Sequence, residues 1–184
     1  MMDYHDIIDR FYPVGSLRRD IYMRHCRSVA DEALRILSQC ALPLDADEVE
    51  AAAMLHDIGI FLTDAPSIDC HGDMPYITHG VAGAELLRSE GMDEKFARVA
   101  ELHTGSGLTA EEIIAQGLPL PHKDFLPETL LEKLICYADK FYSKGGSMKR
   151  KSLEQVRKGM LAFGEGSAAR FESLNAIFGS CVSH

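Results

Sequence analysis

At 184 residues, 46% hydrophobic and 26% charged, the chain has the length and composition of a globular domain that can bury its own core. Its 28 acidic residues against 19 basic ones give a net charge of -9, which repels nucleic-acid backbones and anionic membranes but leaves room for a local cationic site. No apolar run reaches the roughly 20 residues that cross a bilayer, and Met1-Met2-Asp3-Tyr4-His5-Asp6 lacks the basic start and apolar centre of a signal peptide, so a cytoplasmic location is expected.

Helical periodicity dominates, and no stretch alternates as a strand does. A short helix is expected from Asp3 to Phe11, ending before Pro13. Ser16 can cap a longer one over 17–39, with Ile21, His25, Val29, Ile36 and Leu37 on one face. Asp45 or Asp47 opens a helix carrying Val49, Ala52, Ala53, Leu55 and His56 and ending near Gly59. Acidic residues, prolines and a glycine mark 61–76 as a loop. Helices are then expected over 79–90, closed by Gly91, and after the Asp93 cap, with His103 on its inner side. Thr109-Ala110-Glu111-Glu112 has a capping-box pattern, 117–127 is a second loop, and a helix follows over 128–143. Ser152 with Gln155, and then Ser167, mark two last helices ending near Phe178. The short connections predict an all-α, compact helical bundle: a single domain over 1–184, with a motif-bearing core over about 17–144 and C-terminal helices over about 152–178 packing on it. The apolar Phe163, Phe171, Leu174, Ile177 and Phe178 have two uses open to them, packing on the core or forming a homodimer face. Cysteines 26, 40, 70, 136 and 181 form no CxxC pair and read as reduced and mostly buried, with disulfide pairing or a thiolate metal site as the lesser alternatives.

Six residues fall where helices meet loops or inner faces: His25, the dyad His56-Asp57, His79, His103 and Asp139, most of them beside apolar neighbours. Taken singly, each has an ordinary explanation. A histidine on an apolar helix face is commonly a hydrogen-bonded core residue, and Asp139 has Lys140 and Lys144 close by as surface partners. Taken together, imidazoles and carboxylates converging inside a bundle suggest a metal site built from facing helices, because a buried aspartate is costly unless paired or bound to a cation.

The ordered series His25, His56-Asp57, His79, His103, Asp139, with the string His56-Asp57-Ile58-Gly59, resembles the HD-domain metal-dependent phosphohydrolase superfamily and its HDIG-type branch. The resemblance runs from about Arg24 to Lys144, about two-thirds of the chain, and includes Tyr76-Ile77-Thr78-His79-Gly80 and His103-Thr104-Gly105. It implies that His25, His56, Asp57 and Asp139 hold one divalent ion and that His79 and His103 hold a second, with Asp57 bridging. Iron or manganese are the leading choices, and Zn, Mg, Co or Ni are alternatives. The implied activity is hydrolysis of a phosphate ester or anhydride by metal-activated water, with His56 and Asp57 as the catalytic dyad. No GxSxG elbow, Walker A loop or Rossmann fingerprint offers a different chemistry.

Candidate substrate contacts are Arg24 and Arg27 beside His25, Thr104 after His103, Ser143 one helical turn past Asp139, and Lys144. Lys140 would point about 100° away from Asp139 on an ideal helix and is set aside. His5, His71, His122 and His184 are also left out, as terminal or loop residues. Some HDIG-type members have lysine where this chain has Ile60, and no Gly-Tyr-Pro motif of the cyclic dinucleotide phosphodiesterases is found. The expected partner is therefore a small phosphorylated substrate, a nucleotide or dinucleoside polyphosphate, with no nucleic acid and no membrane. Two alternatives stand beside turnover: a nucleotide-sensing domain that keeps its metal, and a di-iron oxygenase of the HD type.

Overall fold

The computed structural model describes residues 3–146 and 148–181; Met1, Met2 and His184 lie outside them. Among the described residues there are nine α-helices: α1 (Tyr4–Phe11), α2 (Leu17–Gln39), α3 (Ala46–Leu55), α4 (His79–Ser89), α5 (Glu94–Leu102), α6 (Ala110–Gln116), α7 (Leu130–Asp139), α8 (Leu153–Ala162) and α9 (Glu165–Phe178). None is long and apolar enough to cross a membrane.

The caps are local chemistry. Ser16 accepts from Arg19 N, Asp45 from Glu48 N and Asp93 from Lys95 N. Thr109/Glu112, Thr129/Glu132 and Ser152/Gln155 form complete capping boxes, which satisfy the free N–H groups of the first turn. α2 buries Ile21, His25, Val29 and Ile36 along one stripe and lies against α3 and α7. α7 is the central helix: from Leu131 to Asp139 only Lys133 is not buried. A helix enclosed on nearly all sides carries polar groups only where they have partners, and α7 ends on one such group, Asp139.

α8 and α9 cover the far side of α7. Phe171, Leu174 and Phe178 are buried, and the rings of Tyr137 and Phe171 stack at 5.6 Å. Phe163 and Ile177 stay on the outside, so the C-terminal apolar residues divide between core and surface.

Several boundaries differ from expectation. Residues 61–76 are not a plain loop. They hold a two-residue antiparallel pairing, β1 (Asp64–Ala65) with β2 (Cys70–His71), turned by Asp69 in a left-handed conformation (φ 58°). Strands this short leave no alternation to read. α3 stops at Leu55 rather than near Gly59, and a 3-10 turn (Ile58–Leu62) follows. α7 runs 130–139, not 128–143, because Thr129 takes the cap and the helix ends at the site. α9 begins at Glu165; Ser167 is buried inside it, with its carbonyl accepting from Ser106 Oγ. The expectation of five reduced cysteines is also corrected. Cys40, at the end of α2, and Cys181, just past α9, form a disulfide across 141 residues of sequence, a separation that carries no motif. Cys26, Cys70 and Cys136 are free and buried.

Gly59 explains itself by proximity. A Cβ there would meet the His79 carbonyl oxygen and the Gly83 backbone, 2.8 Å from Gly83 Cα. Its absence lets the turn after His56-Asp57 pack directly on the start of α4. Because the obstructing atoms are backbone, Gly59→Ala is expected to lower stability by about 1–3 kcal/mol or more, read by thermal unfolding.

Glu32, buried on α2, accepts from Arg35 and from Arg150, whose guanidinium also lies over the Phe141 ring, and so ties the segment before α8 to the core. Burial pushes its carboxyl up, but the two guanidiniums outweigh burial and hold it below its ordinary value of 4.5. A depressed folded pKa means the unfolded state binds more protons, so this stabilisation is present above 4.5 and is lost as pH falls through the folded value. Glu32→Gln is expected to cost about 1.5–3 kcal/mol at neutral pH. That cost should shrink as pH drops below 4.5, with urea unfolding at both pH values as the check.

Candidate metal centre

The six residues singled out in the sequence come together where the ends of four helices meet the middle of a fifth. His25 projects from the middle of α2, His56 caps α3 and Asp57 follows it, His79 begins α4, His103 caps α5, and Asp139 ends α7. All six are buried.

The helix ends orient three of the rings. His56 Nδ1 lies 2.6 Å from the Ala53 carbonyl, His79 Nδ1 2.7 Å from Tyr76 O, and His103 Nδ1 2.8 Å from Ala100 O. Each partner is the carbonyl three residues back, left free at the end of its turn. A nitrogen facing a carbonyl must carry the proton, so each Nδ1–H donates and each Nε2 presents its lone pair inward.

Those lone pairs converge on Asp57 from two sides. Its Oδ2 is 3.1 Å from His25 Nε2 and 3.1 Å from His56 Nε2. Its Oδ1 is 3.4 Å from His79 Nε2 and 3.3 Å from His103 Nε2. Asp139 Oδ1 completes the first side at 3.1 Å from His25 and 3.5 Å from His56. Two donor sets result, His25-His56-Asp57-Asp139 and Asp57-His79-His103, with Asp57 common to both.

Several of these atoms are close without being in hydrogen-bonding geometry. Both ring nitrogens of His25, His56 Nε2 and Asp57 Oδ1 are buried with no hydrogen-bond partner. Orphaned polar atoms of this kind are uncommon in a core, and here they are imidazole nitrogens and a carboxylate oxygen aimed at shared points. That donor chemistry suits borderline divalent cations, so the residues present fit a metal centre.

Lysines supply the remaining charge. Lys144 Nζ lies 2.7 Å from Asp57 Oδ2, and Lys140 Nζ donates to Asp139 Oδ2 at 2.6 Å and to the His103 carbonyl at 3.0 Å. Burial raises the Asp57 carboxyl, but His56 and Lys144 outweigh it and hold Asp57 well below the carboxylate range. Asp139 is likewise held low, against burial, by Lys140 and His25. Burial works against a charged His56, yet neighbouring Asp57 keeps its pKa well above the usual imidazole value, so without a cation the ring holds a second proton at Nε2, which a bound metal would displace. His79 goes the other way, pushed down to about 3 by burial and the nearby His103, and burial lowers His103 too.

A cleft of about 530 Å³ opens onto this cluster, touching His79, His103 and Asp139. Thr104, Ser143 and Lys144 line it, as the sequence suggested. Arg24 and Arg27 do not: Arg24 donates to the Asp20 carbonyl on the surface of α2, and Arg27 pairs with Glu50. Ile60 is buried in the core, so its position offers the cleft nothing. The reading of Lys140 as pointing away is corrected: its backbone keeps helical angles (φ -62°, ψ -24°), but its long side chain curls back to reach Asp139 Oδ2 and the His103 carbonyl. Tyr76 was unremarked as a contact, although it lay inside a quoted motif; its ring stacks on His79 at 4.7 Å and lies under Lys144 Nζ at 5.8 Å. Lys151 also lines the cleft, and no sequence signal marked it.

The family model for the HD domain matches residues 22–143. Among curated proteins, the chain is 40% identical over 134 residues to a tRNA (cytidine(56)-2'-O)-methyltransferase of Picrophilus torridus, covering 73% of this chain and 35% of that protein. It is 31% identical over 182 residues to the protein of the same name from Thermoplasma volcanium, covering 96% of this chain and 48% of the relative. It is 42% identical over 120 residues to an uncharacterised protein of Methanocaldococcus jannaschii, covering 64% of this chain and 63% of the other. The chain thus spans between about a third and just under two-thirds of the length of these curated relatives. Among solved structures, the HD domain of the L. monocytogenes phosphodiesterase PgpH superposes with a TM-score of 0.57 at 13% identity, covering 97% of this chain and 96% of that one, a likeness of fold. With the family model matched across both ends of the six-residue cluster, the chain belongs to the HD-domain family.

Proposed function

We propose that the chain is a metal-dependent phosphohydrolase acting on a small phosphorylated molecule of the nucleotide class, with His25, His56, Asp57 and Asp139 holding one divalent ion and Asp57, His79 and His103 a second. The observation that carries this reading is the division of the Asp57 carboxylate, with one oxygen facing each donor set inside a buried cluster that opens on a cleft.

When bound, a pair of divalent ions supplies Lewis acidity, lowering the pKa of water and polarising a phosphoryl oxygen. The chain's own residues do the rest. The three Nδ1–H···O=C bonds lock the rings, so the site is arranged before substrate arrives. A depressed pKa keeps His79 neutral, which leaves its Nε2 free as a donor. Lys144 and Lys140 place positive charge beside the cleft, which favours entry of a phosphate into a chain otherwise rich in carboxylates.

The ligand assignment predicts a stoichiometry. Wild-type protein loaded with Mn²⁺ is expected to hold two ions per chain by elemental analysis, His79→Ala one, and Asp57→Ala close to none. Loss of both ions in His79→Ala, or none in the wild type under any loading, would contradict it.

The activity is tested with a phosphatase and phosphodiesterase panel on Mn²⁺- and Fe²⁺-loaded protein. Turnover of a nucleotide is expected, with kcat lowered about a thousandfold in His56→Ala and Asp57→Ala, about 4 kcal/mol of barrier. Binding without product after long incubation would favour a sensing domain, and substrate-dependent oxygen uptake an oxygenase. The names of two relatives motivate adding tRNA to the panel. The net charge of -9 argues against it as a ligand of this chain on its own.

A further inference from the structure

The two buried aspartates divide their oxygens differently. Asp139 turns Oδ1 to His25 and His56 and Oδ2 to Lys140, so its histidines and its lysine use separate atoms. Asp57 has no oxygen left over. Its Oδ1 faces His79 and His103, its Oδ2 faces His25 and His56, and Lys144 Nζ adds itself to that same Oδ2 at 2.7 Å. Three nitrogens thus crowd one oxygen that carries two lone pairs. A divalent ion bound to Oδ2 would stand about 2.2 Å from it. Whatever its direction, it would then lie no farther than about 5 Å from an ammonium 2.7 Å from the same atom. The Lys144 side chain is 15% exposed, so little water is at hand to screen the two positive charges from each other.

The two lysines also differ in how firmly they are held. Lys140 keeps helical backbone angles at the end of α7, is buried, and donates both to Asp139 and to the His103 carbonyl. Lys144 lies in an open turn. The last backbone hydrogen bond before it runs from Tyr142 N–H to Asp139 O, and the next from Lys151 N–H to Phe141 O. Among the described residues no backbone hydrogen bond holds 143–146. A Cβ added at Gly145 or Gly146 would meet nothing within 4 Å, and Gly146 has a left-handed φ of 69°. A stretch with so little packing and pairing can shift at small cost. Lys144 also lines the cleft, and its Nζ lies 5.8 Å from the centre of the Tyr76 ring, so an ammonium driven off Asp57 has a wet, aromatic-flanked place to go.

We propose that Lys144 is a built-in counter-cation of Asp57 that a divalent ion must displace: filling the His25-His56-Asp57-Asp139 set drives its ammonium off Oδ2 and into the cleft. Metal affinity is then lower than the donor atoms alone would give. The cleft, in turn, gains a positive charge free to pair with an anion only when the ion is in place. Lys140, bound to the other oxygen of its aspartate and fixed at the helix end, stays where it is. The proposal rests on the six residues being a metal centre and not on hydrolysis.

The experiment is titration of the full chain with Mn²⁺ against a chromophoric chelator, joined to a crystal structure of the Mn²⁺-loaded protein. Lys144→Met is expected to bind Mn²⁺ at least about tenfold more tightly than wild type, because a nearby like charge is gone. Lys144→Arg, which keeps the charge, should stay near wild type, and Lys140→Met should tighten binding less than Lys144→Met. Thermal unfolding in excess chelator should move the opposite way. There Lys144→Met melts below wild type, since Asp57 has lost its ammonium, and saturating Mn²⁺ should remove the deficit. If Lys144→Met does not fold, Lys144→Gln, uncharged but polar at its end, gives the same comparison. In the loaded crystal, Lys144 Nζ should lie beyond hydrogen-bond distance of Asp57 Oδ2, with Lys140 unmoved. Weaker or unchanged Mn²⁺ binding on loss of the Lys144 charge would make it an orienting partner of Asp57 and overturn the proposal. So would equal tightening in Lys140→Met, or Lys144 still on Oδ2 in the loaded crystal. Each of these leaves the metal centre standing. A wild type that takes no Mn²⁺ under any loading overturns the metal centre itself, and the displacement with it.

Discussion

One carboxylate organises the centre of this protein. Asp57 is wholly buried, and both of its oxygens are approached by imidazole nitrogens from opposite sides. An ionised carboxylate in such a place is tolerable only with strong compensation, and here the leading charges are those of Lys144 and His56, while Oδ1 keeps no hydrogen-bond partner. The helices that deliver these groups, α2 to α5 with the segment after α7, are therefore held in relation to one another by the needs of one charge. The rest of the fold serves that arrangement. Gly59 lets the turn after Asp57 touch α4, and the free carbonyls at the ends of α3, α5 and the turn before α4 hold the rings.

The electrostatics follow the same centre outward. Net charge is strongly negative, yet the cleft carries Lys140, Lys144, Lys151 and Arg170. The first two balance the buried aspartates, and Arg170 balances Glu112 at the far wall. Local charge, more than the whole-chain average, decides what approaches a site this enclosed. The N-terminal helices supply most of the donor atoms. The C-terminal helices supply a wall of the cleft and the aromatic packing of Phe171 and Phe178 against α7. The buried cluster and much of the outer cleft wall thus come from different stretches of the chain.

Much of this was legible from residue order. Helix caps are local, so Ser16, Asp93, Thr109 and Ser152 could be read directly, and each accepts from the backbone of its own first turn. The six-residue cluster was legible because the histidines and aspartates fall in a recognisable series next to apolar neighbours. Lys140 was misread because the direction in which a residue leaves a helix does not limit where a four-carbon side chain ends, and its ammonium curls back to Asp139. The hairpin at 64–71 was missed because two residues per strand show no period. The disulfide was missed because Cys40 and Cys181 meet only once α2 and α9 are docked.

The sequence by itself determined the helical class, most of the caps and the six members of the buried cluster, since these depend on side-chain chemistry and on periods of a few residues. The resemblance implied that Asp57 bridges two sites, but only the tertiary structure decided which oxygen faces which histidines, because that depends on how four helix ends meet the middle of α2. It alone separated Thr104, Ser143 and Lys144, which reach the cleft, from Arg24 and Arg27, which do not. A basic residue looks the same in sequence whether it faces water or a cavity, and the packing of the opposite wall decides between them. Lys151 makes the point most sharply: no motif or period marks it, and it reaches the edge of the cleft only because the chain returns there to pair its N–H with the Phe141 carbonyl.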